Sequence, residues 1–188
     1  LHKAIRRQRQ MCIRDRKMET IDDFKGFKLR VPNLEVYLKT WQWLNTSPTP
    51  LAMNEVYTAL QQNTVEGQEN PFADSLNYSF DEVCKYWIKT NHVYSCNLFM
   101  MDRTYFNSLP EEIQNAVIEA AEYAGQEISA VQKQRDQEAE QKVLDEGCEV
   151  IEVDTKAFAD YFDTFAETNF PNLADWVGRI KAMDPANS

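Results

Sequence analysis

Glycine is scarce, at five residues in 188. Neither GxGxxG nor GxxxxGK(S/T) occurs, which argues against a glycine loop that cradles phosphates. Histidine is scarcer still, at two. His92 is the one beyond the first sixteen residues, and no GxSxG elbow accompanies it. That leaves no nucleophile–base pair on which to build a hydrolase, and a satisfied structural imidazole accounts for His92. Cysteines number four without a CxxC, and Cys84, Cys96 and Cys148 are the three outside the first sixteen residues. An odd count without paired spacing indicates neither a zinc site nor a disulfide framework, and we read them as semi-buried thiols. Convergent spacing of His, Cys, Asp or Glu for a metal is also missing. No apolar run reaches the roughly 18 residues of a membrane-spanning helix.

What is present is a body 43% hydrophobic and 12% aromatic, enough for one good-sized domain or parts of two. The net charge of −10 is unevenly spread. Residues 1–16, "LHKAIRRQRQMCIRDR", hold six of the twenty basic residues and one of the thirty acids, leaving 14 against 29, or −15, for the rest. An acidic body of that size repels nucleic acid and anionic membranes. "QMCIRDR" resembles the peptide obtained when sequencing-adapter DNA is translated at the end of a contig. Residues 1–16 are therefore set aside as a non-native head and excluded from fold reasoning. The chain opens with neither Met nor a signal peptide, so we expect an N-terminally truncated fragment.

"GFKLRVPN" alternates Phe27, Leu29 and Val31 with Lys28 and Arg30, which is strand periodicity stopped by Pro32. Leu34, Tyr37, Leu38, Trp41 and Leu44 then recur at helical spacing. "NTSPTPLAM" is extended, because each proline biases its predecessor away from helix. "NEVYTALQQN" reads as a helix capped by Asn54 and ending near Asn63, and "VEGQENP" as a polar turn. The first half of "FDEVCKYWIKTNHVYSCNLFMM" looks helical, and the half from His92 to Met101 is rich in strand formers. Ser108 and Glu111 suggest a capping box for a helix over Pro110–Glu146, with Gly147 closing it. That helix would be about 50 Å long. Its stripe of Ile113, Val117, Ala120, Ala124, Ile128 and Val131 fades afterwards, which favours a solvated helix crossing between lobes. A strand at "CEVIEVD" and two helices with apolar faces follow. The βαβα order over 20–100 indicates an α/β sheet with helices on both sides and the long helix along its flank.

Few residues stand out as chemistry. Arg30 ends a strand just before a proline, where ligands of open α/β folds bind. A guanidinium there can clamp a carboxylate through two parallel bonds. Lys28 shares its face, and a solvated strand arginine fits the pattern as well. Asn70, before Pro71, is ordinary turn chemistry or a donor and acceptor for a carboxylate flanked by hydroxyls. No carboxylate pair is isolated among apolar neighbours in a way that would make a general acid.

Four stretches carry a resemblance: "FKGFKLRVPN", "SPTPLAMNEVYTALQQNTVEGQENP", "VCKYWIKTNHVYSCNLFM" and "FNSLPEEIQNAVIEAA". In order and spacing they resemble the solute-binding proteins of TRAP (tripartite ATP-independent periplasmic) transporters, of the sialic-acid and C4-dicarboxylate type. The resemblance implies the second lobe of a two-lobe, class II type periplasmic binding protein fold, α/β, with a long crossing helix. It implies that residues 17–96 and 137–188 form the ligand-binding second lobe, and that 97–136 cross to what remains of the first. It implies no enzyme activity and no cofactor or metal. The implied partners are a carboxylate-bearing solute and the transporter's membrane subunits, met in the periplasm. Arg30 then makes the bidentate bridge to the carboxylate, Asn70 supports it, and Met53 packs on the ligand where the family commonly has Phe. Asn33 and Asn97 are further candidates for polar contacts. Asn45 stands where the family has glycine, and asparagine tolerates a left-handed turn. Glu66 and Glu69, which would repel a bound carboxylate, are expected to point away from the cleft. The alternative is an acidic helical interaction module whose long helix is the working surface.

Overall fold

A computed structural model describes the backbone of residues 5–183 and the side chains of 9–93 and 98–183. The strands are β1 (Ile5–Gln8), β2 (Gln10–Ile13), β3 (Lys28–Val31), β4 (Ser47–Pro50), β5 (Gly67–Asn70), β6 (Tyr86–Lys89), β7 (Tyr94–Asn97) and β8 (Glu149–Glu152). Between and after them run α1 (Glu35–Trp43), α2 (Val56–Gln61), α3 (Phe72–Asn77), α4 (Arg103–Ser108), α5 (Glu111–Asp145), α6 (Thr155–Tyr161), α7 (Phe165–Asn169) and α8 (Ala174–Ala182). Six strands form one mixed sheet in the order β4-β3-β5-β2-β6-β8, and β1 pairs with β7 in a separate antiparallel ribbon. Within the sheet β3 is parallel to β4 and β5, and β6 to β8, while β2 runs antiparallel to both its neighbours. Every strand except β2 therefore ends at the same edge, and β2 begins there.

Each face of the sheet carries its own apolar layer. Met11, Ile13, Phe27, Leu29, Val31 and Ile88 pack with Trp41 of α1 and Phe158 of α6. Cys12, Trp87 and Val65 pack on the other face with Leu60 of α2, Phe72 of α3 and Ala139 and Val143 of α5. This is an α/β sheet with helices on both sides, as the βαβα order implied. The alternation in β3 is realised: Leu29 and Val31 are buried in the first layer, and Lys28 is exposed at the start of the opposite face. Asn45 takes the left-handed turn expected of it, at φ 57°, and Asn63 ends α2 at φ 58°.

Several expectations are corrected. Residues 10–13 do not lie outside the fold: β2 is an internal strand, and Met11, Cys12 and Ile13 are buried. Its three apolar side chains alternate between the two layers, which is what a strand flanked on both edges requires. "VEGQENP" holds a strand, because β5 over Gly67–Asn70 is buried from end to end. Gly67 serves packing: a Cβ there would stand 2.7 Å from the Phe27 ring and 2.9 Å from the Cys12 carbonyl oxygen. Residues 86–89, read as helical, are strand β6, since Trp87 and Ile88 are needed on opposite faces of the sheet. Asn54 does not cap α2; the Glu55 carboxylate instead accepts from the Ala52 N–H at 3.0 Å.

The long helix is present nearly as expected, over Glu111–Asp145, with Gly147 at φ 82° beyond its end. Its capping box is not formed, as Pro110 occupies the N-cap and Ser108 Oγ donates to Tyr105 O. The apolar stripe is also not what seats it. Ile113, Ile128 and Val131 are exposed, whereas Gly125, Ala139 and Val143 are buried. Ala139 and Val143, in its last third, pack in the layer formed with Phe72 of α3 and Val150 of β8, beyond where the counted stripe ends. Lys89 of β6 reaches Glu140 on this helix at 3.1 Å, so its acidic run is partly spent on the sheet. No described helix is long and apolar enough to cross a membrane.

Candidate functional site

The shared strand edge gathers polar side chains from segments far apart in sequence. Arg30 lies near the end of β3 and is 4% exposed. Its Nε and Nη2 both donate to Leu51 O, just beyond β4, at 2.9 and 2.6 Å. That uses the side edge of the planar fork and aims it along the strand ends. The opposite edge, Nη1 with the second Nη2 hydrogen, meets no carboxylate among the described residues, so it remains able to take a two-oxygen acceptor. Burial lowers the pKa of Arg30 from the ordinary guanidinium value; Glu69 opposes this and Arg9 adds to it. A guanidinium stays charged under such a shift.

Asn70 ends β5 on the same face, because Arg30 is paired with Gln68 and side chains two apart share a face. Its Nδ2 donates to Gln68 Oε1 at 2.6 Å and approaches Met53 Sδ at 3.7 Å. Its Oδ1 accepts from Arg9 Nη2 at 3.0 Å. Gln68 is anchored in turn by donating to Ser75 Oγ at 3.0 Å. The Asn70 amide thus has a set orientation, with its oxygen toward Arg9 and its nitrogen toward Gln68 and Met53.

Glu69 projects from the opposite face of β5, where Met11 is its partner in register. It is fully buried, and two side chains, Arg9 and His92, satisfy it. Arg9 Nε donates to Glu69 Oε2 and Arg9 Nη2 to Glu69 Oε1, the latter at 2.7 Å. His92 Nε2 stands 3.2 Å from Oε2, and its Nδ1 is 2.6 Å from Thr90 Oγ1. Arg9 also donates to Glu69 O at 2.9 Å and lies over the Tyr37 ring at 5.2 Å. Burial by itself lowers the pKa of Arg9, but the bond and charge of Glu69 outweigh it and the net shift is upward. A buried carboxylate and guanidinium that satisfy each other's hydrogen bonds are the arrangement in which such a pair is tolerated. Glu66 is turned to the backbone, accepting from the Lys28 N–H at 2.9 Å.

Of the residues expected to bind ligand, Arg30, Met53 and Asn70 are brought together here. Asn33 is exposed beyond β3 and makes no hydrogen bond to a described residue. Asn97 closes β7, paired in register with Ile5, and its side chain lies outside the described residues. Arg9, Gln68, Glu69 and His92 were not singled out as site residues. Arg9 was lost with the excluded head, read as one of a run of arginines rather than as the partner of a buried carboxylate. His92 is satisfied, as its bland interpretation held, but satisfied by the network that orients Asn70.

The chemistry on offer is binding: a guanidinium edge, an oriented amide and a thioether at one rim. Among the described residues no cluster of His, Cys, Asp and Glu could hold a metal ion. The model of bacterial extracellular solute-binding proteins, family 7 (DctP), matches residues 7–168. A solute-binding protein of Verminephrobacter eiseniae is 41% identical over 113 residues, 60% of this chain and 34% of its own length. The sialic acid-binding periplasmic protein SiaP of Vibrio cholerae is 32% identical over 170 residues, 90% of this chain and 53% of its own. A crystal structure of a TRAP periplasmic solute-binding protein from Chromohalobacter salexigens with bound D-glucuronate superposes with a TM-score of 0.83. It is 29% identical over 95% of this chain and 61% of that one. The chain therefore spans between about a third and three fifths of these relatives. With the matched segment covering most of its length, the chain belongs to family 7 of the bacterial extracellular solute-binding proteins.

Proposed function

We propose that this chain holds the carboxylate-gripping part of a periplasmic solute-binding protein that captures an organic acid for an ion-driven TRAP transporter. The observation that carries this is the free edge of Arg30 beside the oriented amide of Asn70, at the carboxyl ends of parallel strands. Arg30 takes both oxygens of the acid's carboxylate, Asn70 donates to one of them, and Met53 packs on the carbon skeleton. Asn33 and Asn97 reach hydroxyls farther along the ligand. No bond is made or broken. Residues 17–96 and 137–188 form one lobe together with strand β2, and 97–136 cross toward a second. Relatives named for sialic acid or holding D-glucuronate point to a sugar acid as the substrate class.

Nuclear magnetic resonance of the chain, titrated with D-glucuronate, sialic acid, a C4-dicarboxylate and neutral glucose, tests this. At least one acid should shift the Arg30 Nε–H and Asn70 side-chain amide signals together, and glucose should shift neither. Acids that perturb only residues away from this rim, or leave both signals unmoved at millimolar concentration, would overturn the assignment. Concentration-dependent self-association without any response to acids would favour the long helix as the working surface instead.

A further inference from the structure

A half-open cavity of about 240 Å³ lies on the face of the sheet that carries α1 and α6. Trp41 and Leu44 of α1 and Thr90, just after β6, are its buried residues. Phe158 and Phe162 of α6 line it half-buried, and Thr155 and Ala159 of the same helix line it exposed, at its mouth. The rings brace one another. Trp41 meets His92 edge-on at 4.9 Å and stacks with Phe24 at 6.1 Å, and Phe158 meets Phe24 edge-on at 5.5 Å. Met53 packs in the opposite layer, so the sheet separates this cavity from the Arg30 rim.

The lining sets the kind of molecule that fits. It contains no Asp, Glu, Lys or Arg, so a charged occupant would lose its hydration without gaining a counter-ion. Most polar atoms around it are already engaged. Thr40 Oγ1 donates to Val36 O at 2.7 Å, and Thr90 Oγ1 lies 2.6 Å from His92 Nδ1, whose Nε2 faces Glu69 at 3.2 Å. Asn91 holds a left-handed backbone at φ 48°, and Gln10 takes both its N–H and its Oδ1. Two donors are left without a partner among the described residues: Asn91 Nδ2 and the buried indole N–H of Trp41. An apolar cavity of roughly 150 Å³ already takes a benzene ring, and this one is larger.

We propose that this cavity is a second ligand site, for a small neutral aromatic molecule that carries an oxygen acceptor, of the phenol class. The ring replaces water against Leu44, Phe158 and Phe162, the apolar part of the lining. The oxygen accepts from the leftover donors of Asn91 and Trp41. Because Gln10 holds Asn91 Oδ1, the amide is fixed with its nitrogen as the group on offer. The Arg30 rim and this cavity then sort ligands by charge: a guanidinium takes the acid on one face of the sheet, and an uncharged aromatic lining takes the neutral ring on the other.

The test is titration of the full chain with 4-fluorophenol, followed through the fluorine signal of the ligand and the indole N–H signals of the protein. Saturable binding with a Kd of roughly 0.1–1 mM is expected, ordinary for a ligand of about eight non-hydrogen atoms. The Trp41 N–H signal should move farthest among the four tryptophans, and excess D-glucuronate should displace nothing. Fluorobenzene, which lacks the oxygen, should bind about fivefold more weakly, the worth of one hydrogen bond. Ala159→Trp fills the mouth from an exposed position and should weaken 4-fluorophenol at least about tenfold. No saturation by about 10 mM, a response confined to other tryptophans, or equal affinity for fluorobenzene would overturn the proposal. So would displacement by D-glucuronate, or unchanged affinity in a folded Ala159→Trp. If that variant does not fold, the Trp41 signal and the fluorobenzene comparison in the parent chain decide.

Discussion

Arg9 Nη2 donates a hydrogen bond to Asn70 Oδ1 at 3.0 Å, while its Nε and Nη2 also donate to the Glu69 carboxylate. A residue set aside with the N-terminal head is thus the one that determines how the candidate ligand-binding amide is turned. Through it, the two faces of β5 are joined in one hydrogen-bonded chain from Ser75 through Gln68, Asn70 and Arg9 to Glu69 and His92.

Removing the guanidinium should separate Arg30 from its neighbour on the same strand face. Arg30→Ala is expected to weaken acid binding by about 30- to 5,000-fold, as for loss of one partner of a buried, hydrogen-bonded charge pair. Lys28→Ala, at an exposed position, should leave affinity almost unchanged. Calorimetry with an acid found to bind checks this, and equal effects from the two substitutions would remove Arg30 from the site.

Glu69→Gln leaves the mostly buried Arg9 guanidinium, 15% exposed, without its carboxylate. A loss of about 3–5 kcal/mol in unfolding free energy is expected, since an uncompensated buried charge is costly. Urea denaturation measures it. A change below about 0.5 kcal/mol, the size seen at ordinary surface positions, would mean that the pair does not organise the sheet edge.

Gly67→Ala tests whether β5 needs its glycine for space. The added methyl meets the end of the Phe27 ring, which can shift, and the Cys12 carbonyl, which belongs to a central strand and cannot. Destabilisation of about 1–3 kcal/mol is expected from overpacking of this kind. Unchanged stability would show that β2 and β5 can separate without cost.

Asp23 links stability to pH at the acid end. Its carboxylate accepts from the backbone N–H groups of Glu19 and Thr20 and from the Thr20 hydroxyl, which holds its pKa below the usual value. A depressed folded pKa means that the stabilisation is present above the unfolded value, about pH 4, and is lost as pH falls through the folded one. Asp23→Asn should therefore lower the melting temperature at pH 7 and flatten its decline below about pH 4 relative to the parent chain. Parallel melting curves at every pH would contradict the assignment.

The sequence by itself determined what depends on near neighbours. The alternation in "FKLRV", the glycine after the long helix, the left-handed Asn45 and the ordered blocks that identify the family were all legible in it. Arg30, Met53 and Asn70 could be singled out because each stands in one of those blocks. Only the tertiary structure decided that "GQEN" is a buried strand, that β2 lies inside the sheet, and that Ala139 and Val143 seat the long helix. A polar run reads as a turn until partners are found for it. The partners of β5 lie as far away as Arg9, 60 residues before Glu69, and His92, 23 after it. Strand pairing and charge compensation are non-local, so the sign of burial for a glutamate or an arginine is set by what the fold brings beside it.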